Sequence, residues 1–370
     1  MDLVKFLVLK KNLLNRITNT LDSESLRKSR NDHHAKRAPR PCGLTIHTGI
    51  GCSYCCTYCY IYDMGFSSKV KPYPLKGIEL VASLLINPYF VPTLHGTLLA
   101  FGSVTEPFLP ETYRKTIEYL GGVYSYLKNP IQISTKAFLT EEQITEVLRA
   151  SPRLSVLITL ITLRKFKELE PLAPNPYMRL ETASKMIKLG AHVSLFIRPI
   201  IPGVTDREIR DIFEIALSYN IRKAVLGSLR VTNRIIKNLR NLGIDLSTRL
   251  VTKPRGSVQV PIRSSDLKTM AKNIANKLGI EVYPSACAAN IDAHGLSCAM
   301  CRLGPCGDLN KLPSIDESCI RELLKYMKIK FKQITVFNNR IEIIIEKTLH
   351  KNVLYHIISI LTKRATYIHH

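Results

Sequence analysis

Gly49-Ile50-Gly51-Cys52-Ser53-Tyr54-Cys55-Cys56-Thr57-Tyr58-Cys59-Tyr60 packs four of the chain's ten cysteines into eight residues. Cys52, Cys56 and Cys59 have the spacing C-x3-C-x2-C. Three thiolates on one short loop can hold three irons of a cubane cluster, leaving the fourth iron open to a chelating molecule. These three residues are therefore the candidate metal ligands and the catalytic centre. Glycines on the N-terminal side allow the backbone to turn tightly around such a group. The same stretch also contains two CxxC pairs, Cys52-x2-Cys55 and Cys56-x2-Cys59, which is the spacing of a zinc knuckle. A knuckle rarely follows a barrel strand directly, so the context of the loop decides between the two.

That context is a repeated strand and helix. GLTIHTG (43–49) runs straight into the cysteine loop. TLLAFGSV (97–104), IQISTKA (131–137), RLSVLITLI (153–161), HVSLFIRPII (192–201) and RKAVLGS (222–228) are further apolar runs of strand length. Between them, 111–127, 140–150, 176–190 and 206–219 place apolar residues at three- and four-residue spacing, as amphipathic helices do. Continuous apolar strands alternating with such helices predict a parallel sheet covered by helices. Six units, closed by the strand-like EVYPSA (281–286), predict an α/β fold: a partial (β/α)6-type, TIM-like barrel. Its chemistry is expected at the C-terminal ends of the strands. The predicted organisation is a basic N-terminal extension over 1–41, helical and then a polar linker, and a barrel over 42–286. A Cys-rich segment over 287–318 and a small α+β segment over 319–370 follow. In the last, QITVF and RIEIII flank a turn at Asn338-Asn339 and lie between two helices.

With an aromatic residue, Tyr58, just before the last cysteine, the loop resembles the radical S-adenosylmethionine (SAM) superfamily signature, and GCSYCCTYCY resembles its spore photoproduct lyase-like branch. The resemblance implies a [4Fe-4S] cluster on Cys52, Cys56 and Cys59, with SAM on the open iron through its amino and carboxylate groups. It implies reductive cleavage of SAM to a 5′-deoxyadenosyl radical. AFGSVTEPFLP (100–110) is similar to the branch's second-strand segment, so Thr105 and Glu106 are expected near the SAM amino group. ISTKA (133–137) is similar to the third-strand segment, where Ser134 and Lys136 would reach SAM, Lys136 through its carboxylate. VLITLIT (156–162) places Thr159 at the fourth strand's polar position, although Leu160 interrupts the usual Ser/Thr run. Residues 168–206 are similar to the stretch LEP-x-AP…RL…G…PIIPG-x-x-D and put Arg198 at the end of strand five. Tyr58, Thr105, Glu106, Ser134, Lys136, Thr159 and Arg198 are thus the implied cofactor-binding set. Glu170 and Arg179, within the same stretch, carry opposite charges and could instead pair with each other.

A second group, Cys287-x10-Cys298-x2-Cys301-x4-Cys306, has four thiols in twenty residues, interspersed with Gly295 and Gly304. Four thiolates can close a second [4Fe-4S] cluster or a structural zinc tetrahedron. The spacing matches neither the twitch nor the SPASM pattern, and the branch is not expected to carry the group. Cys42 and Cys319 stand alone.

The net charge is +24. It is concentrated: 221–255 carries nine Lys/Arg against one acid, Asp245. Such a field favours a polyanionic partner, nucleic acid foremost. Ten cysteines without a secretory signal predict a cytoplasmic, reducing location. The apolar runs fall short of a transmembrane span. The readings that follow are a radical SAM enzyme acting on nucleic acid (DNA photoproduct repair or RNA modification), or one modifying a peptide, protein or small metabolite beside an auxiliary cluster. A non-enzymatic, zinc-dependent nucleic-acid-binding protein is the third. Either enzyme would draw electrons from a donor such as ferredoxin or flavodoxin.

Overall fold

The computed structural model describes residues 1–40, 43–346 and 348–370; Cys42 lies outside them. Seven parallel strands form one sheet in chain order: Gly43–Ile46, Leu98–Phe101, Ile131–Thr135, Leu154–Thr159, His192–Ile200, Lys223–Ser228 and Glu281–Tyr283. The fourth strand, Leu154–Thr159, is buried at every position, because helices cover one face and the barrel interior the other. Within this sheet the first and seventh strands each pair on one side only, so it curves into a partial barrel rather than a closed one.

The predicted helices form as their signals direct. Thr140 caps Glu141–Ala150 in a reciprocal box with Gln143. Pro110 and Pro176 each open a helix at its first turn. Glu208, buried on Thr205–Ser218, accepts from Thr162 Oγ1 at 2.8 Å and from the Leu163 and Arg164 amides at 2.6 and 3.1 Å. It thereby fixes the loop after strand four.

The structure adds detail in three segments. The polar linker before residue 41 is folded: Val4–Thr18 is followed by a second helix, Ser23–Asn31, and a short turn, His33–Ala35. Asp22 caps that second helix by accepting from the Ser25 amide. Leu13 and Ile17 bury into the main core, so the segment is a layer of the barrel wall. The Cys-rich segment begins as a helix, Ala286–Ala293, which carries Cys287. The C-terminal segment has the predicted hairpin, Phe331–Val336 with Arg340–Ile345, but ends in a further strand. Ala365–His369 pairs parallel with Arg340–Ile345 beyond the helix Lys351–Thr362. Among the described residues no helix is long and apolar enough to cross a membrane.

Candidate active site

Backbone geometry forces the cysteine loop into shape. Gly51 has φ +86°, and a Cβ there would meet the Ser67 and Lys69 carbonyl oxygens at 2.5 and 2.6 Å. Gly102, at the end of strand two, has φ +89°, and a Cβ would meet the Ser134 carbonyl at 2.3 Å. Both positions require glycine. Other elements clamp the loop. The Thr57 amide donates to Leu169 O at 3.0 Å and Asn238 Nδ2 to Thr57 O at 3.2 Å. Arg234 forks onto Asp63 at 3.1 and 2.8 Å and also donates to Cys59 O. Tyr62 Oη donates to Cys52 O at 2.8 Å.

At the C-terminal ends of the strands lies a cleft with a floor cavity of about 90 Å³. Cys52, Cys56 and Cys59 line it together with Thr105, Glu106, Ser134, Lys136 and Thr159. Eight of the ten residues expected around the first cluster thus meet in one cleft. Cys55 is not among the lining residues, and its backbone is left-handed at φ +52°.

The other two stand elsewhere. Tyr58 is buried behind the cleft, where its Oη donates to Glu170 Oε1. Arg198 is exposed at the end of strand five, its side chain lying across Gly227. Tyr58 thus meets the cleft from behind: Lys136 Nζ lies 5.8 Å from its ring centroid, while its hydroxyl is held by Glu170. Residue Glu170 is the hub that the sequence left open. Its other oxygen accepts from Arg179 Nη1 at 2.6 Å, both side chains fully buried, and Lys136 Nζ lies 3.8 Å from Oε1. Arg179 also donates to Thr159 O and Pro174 O, so one guanidinium ties strand four to the segment that clamps the loop. Glu170, Arg179, Asp63 and Arg234 are supporting residues whose roles join positions far apart in the chain. A buried opposite-charge pair in the LEP…RL stretch was the signal for the first two.

Electrostatics divides the cleft. Burial pushes the Cys56 thiol up to about 12, and raises Cys52 and Cys59 as well. Such thiols stay protonated until a metal displaces the proton. Burial pulls the Lys136 ammonium down, but Cys56, once it is ionised, and Glu170 more than offset it, and the net shift is upward. The cleft therefore holds one buried, fixed cation. Burial raises Glu106, although Thr135 Oγ1 donates to it at 2.5 Å and the Lys136 amide at 2.9 Å. Its two oxygens are used inside the protein, whereas Thr105 Oγ1 and Ser103 Oγ are buried without a partner. An unpartnered hydroxyl and a fixed ammonium beside three thiols suit a ligand bearing both an amine and a carboxylate.

Beyond the C-terminal ends of strands four and five, a polar cavity of about 310 Å³ is lined by Lys165, Arg207 and Arg249 with Asp245. The second cysteine group sits at the opposite end of the barrel. Cys298 and Cys306 exchange backbone hydrogen bonds at 2.8 Å, and the Ala299 amide donates to Lys363 O. Lys363 Nζ in turn donates to Gly96 O, two residues before strand two begins. Burial, then the neighbouring Cys287, Cys298 and Cys301, push the Cys306 thiol up to about 12. The four sulfurs are thus within electrostatic reach of one another.

Residues 46–216 match the sequence pattern of the Radical SAM superfamily. An uncharacterized protein of Acidianus two-tailed virus is 26% identical over 183 residues, 45% of this chain, and the chain spans 58% of that protein's length. Among solved structures, a spore photoproduct lyase variant aligns with a TM-score of 0.55 at 15% identity, over 66% of this chain and 78% of its own. Another variant, with bound AdoMet and dinucleoside spore photoproduct, gives 0.55 at 15% identity over 74% and 94%. At that identity the likeness is one of fold.

Proposed function

We propose, from the premise that this chain belongs to the radical SAM superfamily and is an enzyme, that it cleaves SAM reductively and acts on a nucleic-acid substrate. The observation that carries the reading is the convergence of Cys52, Cys56, Cys59, Thr105 and Lys136 on one cleft. Cys52, Cys56 and Cys59 would hold three irons of a [4Fe-4S] cluster. When bound, that cluster supplies the electron that splits SAM into methionine and a 5′-deoxyadenosyl radical, which abstracts hydrogen. Lys136 would take the SAM carboxylate, exchanging its 3.8 Å approach to Glu170 for a direct charge pair. Thr105 Oγ1 would gain its missing partner from the amino group. Tyr58 and Arg179 keep Glu170 anchored while Lys136 changes partner. Buried walls around the thiols exclude water from the reacting centre.

The basic cavity of Lys165, Arg207 and Arg249 supports a polyanionic substrate, because a backbone crossing the cleft would lay phosphates there. A dinucleoside in the structural relative supports the same class, DNA photoproduct repair or RNA modification. Cys287, Cys298, Cys301 and Cys306 would hold an auxiliary [4Fe-4S] cluster, with zinc as the alternative. An electron donor such as ferredoxin or flavodoxin would supply the cluster, in keeping with a reducing, cytoplasmic setting. The test is anaerobic reconstitution, with iron, sulfide and zinc counted and 5′-deoxyadenosine assayed after SAM and dithionite. About eight irons per chain with deoxyadenosine support two clusters, and about four irons with one zinc support a structural second site. Zinc alone without deoxyadenosine overturns the reading. A gel shift with DNA and tRNA that weakens steeply with salt tests the substrate class.

A further inference from the structure

His33, His34 and His47 lie outside the cleft and none of the chemistry above uses them. The first two follow the second N-terminal helix, and His47 follows strand one. One ring nitrogen of each lies within 4.8 Å of those of the other two. The hydrogen bonds determine which nitrogens are free to bind. Tyr73 Oη donates to Asp32 Oδ2 at 2.7 Å, so its oxygen accepts from His33 Nδ1–H at 2.8 Å. Asp32 Oδ1 accepts from His34 Nδ1–H at 2.6 Å. Both imidazoles therefore carry their free lone pair on Nε2. His33 Nε2 and His47 Nδ1 are buried without a partner, and His34 Nε2 receives only the His47 amide at 3.4 Å. Two orphaned ring nitrogens in one cluster are costly unless something binds them. The nearby guanidinium of Arg37 is turned onto Thr45 Oγ1 at 2.5 Å rather than toward the rings.

We propose that His33, His34 and His47 form a zinc site that ties the N-terminal helical layer to the end of strand one. Three imidazole nitrogens are a zinc ligand set, and a tetrahedral ion needs them about 3.3 Å apart, a modest contraction from the observed grouping. Asp32 and Tyr73 play the outer role, since each fixes a ligand ring through its Nδ1–H. The fourth position is left to water on the side where His33 is partly exposed, its side chain 39% accessible. The site needs neither cysteine group and no SAM, so its fate is independent of the reaction proposed above.

Zinc-edge X-ray absorption on the full chain, loaded with iron and sulfide before zinc is added and dialysed, tests this. The expected shell contains imidazole nitrogen at about 2.0 Å. His47→Ala should lower bound zinc by one per chain and remove that nitrogen component while leaving iron unchanged. Tyr73→Phe keeps the ring and loses the support, and should weaken zinc retention about 10- to 100-fold. A shell of sulfur alone, or no retained zinc, overturns the proposal on the unaltered protein, whatever the folding of the variants. Zinc content unchanged by a folded His47→Ala overturns it too.

Discussion

Cys55 and Cys56 are adjacent, yet one peptide bond separates two environments. Cys55 occupies left-handed backbone and stays partly accessible, whereas Cys56 is buried in the cleft wall. Replacing Cys56 with Ala should reduce 5′-deoxyadenosine to background, and Cys55→Ala should largely spare it; equal losses would overturn the ligand assignment. Glu170 is the other decisive residue. Removing its carboxylate leaves Arg179 buried and unpaired, with one guanidinium nitrogen already lacking a partner. Glu170→Ala should therefore cost about 3–5 kcal/mol in urea unfolding, and a loss below 1 kcal/mol would show that water reaches the pair. The three cysteines were legible from local spacing, and Lys136 from the family resemblance of ISTKA (133–137). The bond from Tyr58 to Glu170 was not legible, because the two residues lie 112 positions apart. For Arg198, strand position gave its height on the barrel, and its side chain lies across Gly227.

At the level of elements, the loop from Gly51 to Asp63 is shaped by one glycine turn and held by partners from two distant segments, around 169–172 and 234–238. Gly51→Ala must place a Cβ against two carbonyl oxygens at positive φ. It should destabilise the protein by more than about 1 kcal/mol and lower iron incorporation, both measurable on reconstituted protein. Wild-type iron content in this variant would mean that the turn relaxes freely. The central barrel strands were readable because a strand buried on both faces is a continuous apolar run, whereas the edge strands Gly43–Ile46 and Glu281–Tyr283 are only partly buried. The last strand, Ala365–His369, was not: it is short, half exposed, and enters after Lys363 in left-handed backbone where no glycine announces the stop. The N-terminal helices were half read, since their polar faces masked the few residues, such as Ile17, that bury them.

Over the whole molecule, the two cysteine groups occupy opposite ends of strands three to nine residues long, about 20 Å for a six-residue strand at the usual rise. Cys301→Ala should accordingly lower metal content without weakening SAM binding by equilibrium dialysis; lost binding would mean that the two ends communicate. Acid should expose the histidine cluster. Burial holds His33 down to about 4 and His47 down to about 3, against an ordinary 6.5. Between those values the unfolded chain binds more protons than the folded one, so stability falls as pH is lowered from about 6.5 and levels off near 3. Metal-free protein should show a lower urea midpoint at pH 5 than at pH 7, and a higher one would contradict the burial of these rings.

A closed barrel is a hoop whose diameter is fixed by strand number and stagger. An open seven-stranded sheet has no such constraint and behaves as a spring. Its free first edge is restrained through side chains, by Arg37 on Thr45 and His34 on the His47 amide, rather than by a ladder of backbone bonds. A sheet of this kind can change its curvature without breaking a single pairing between its strands.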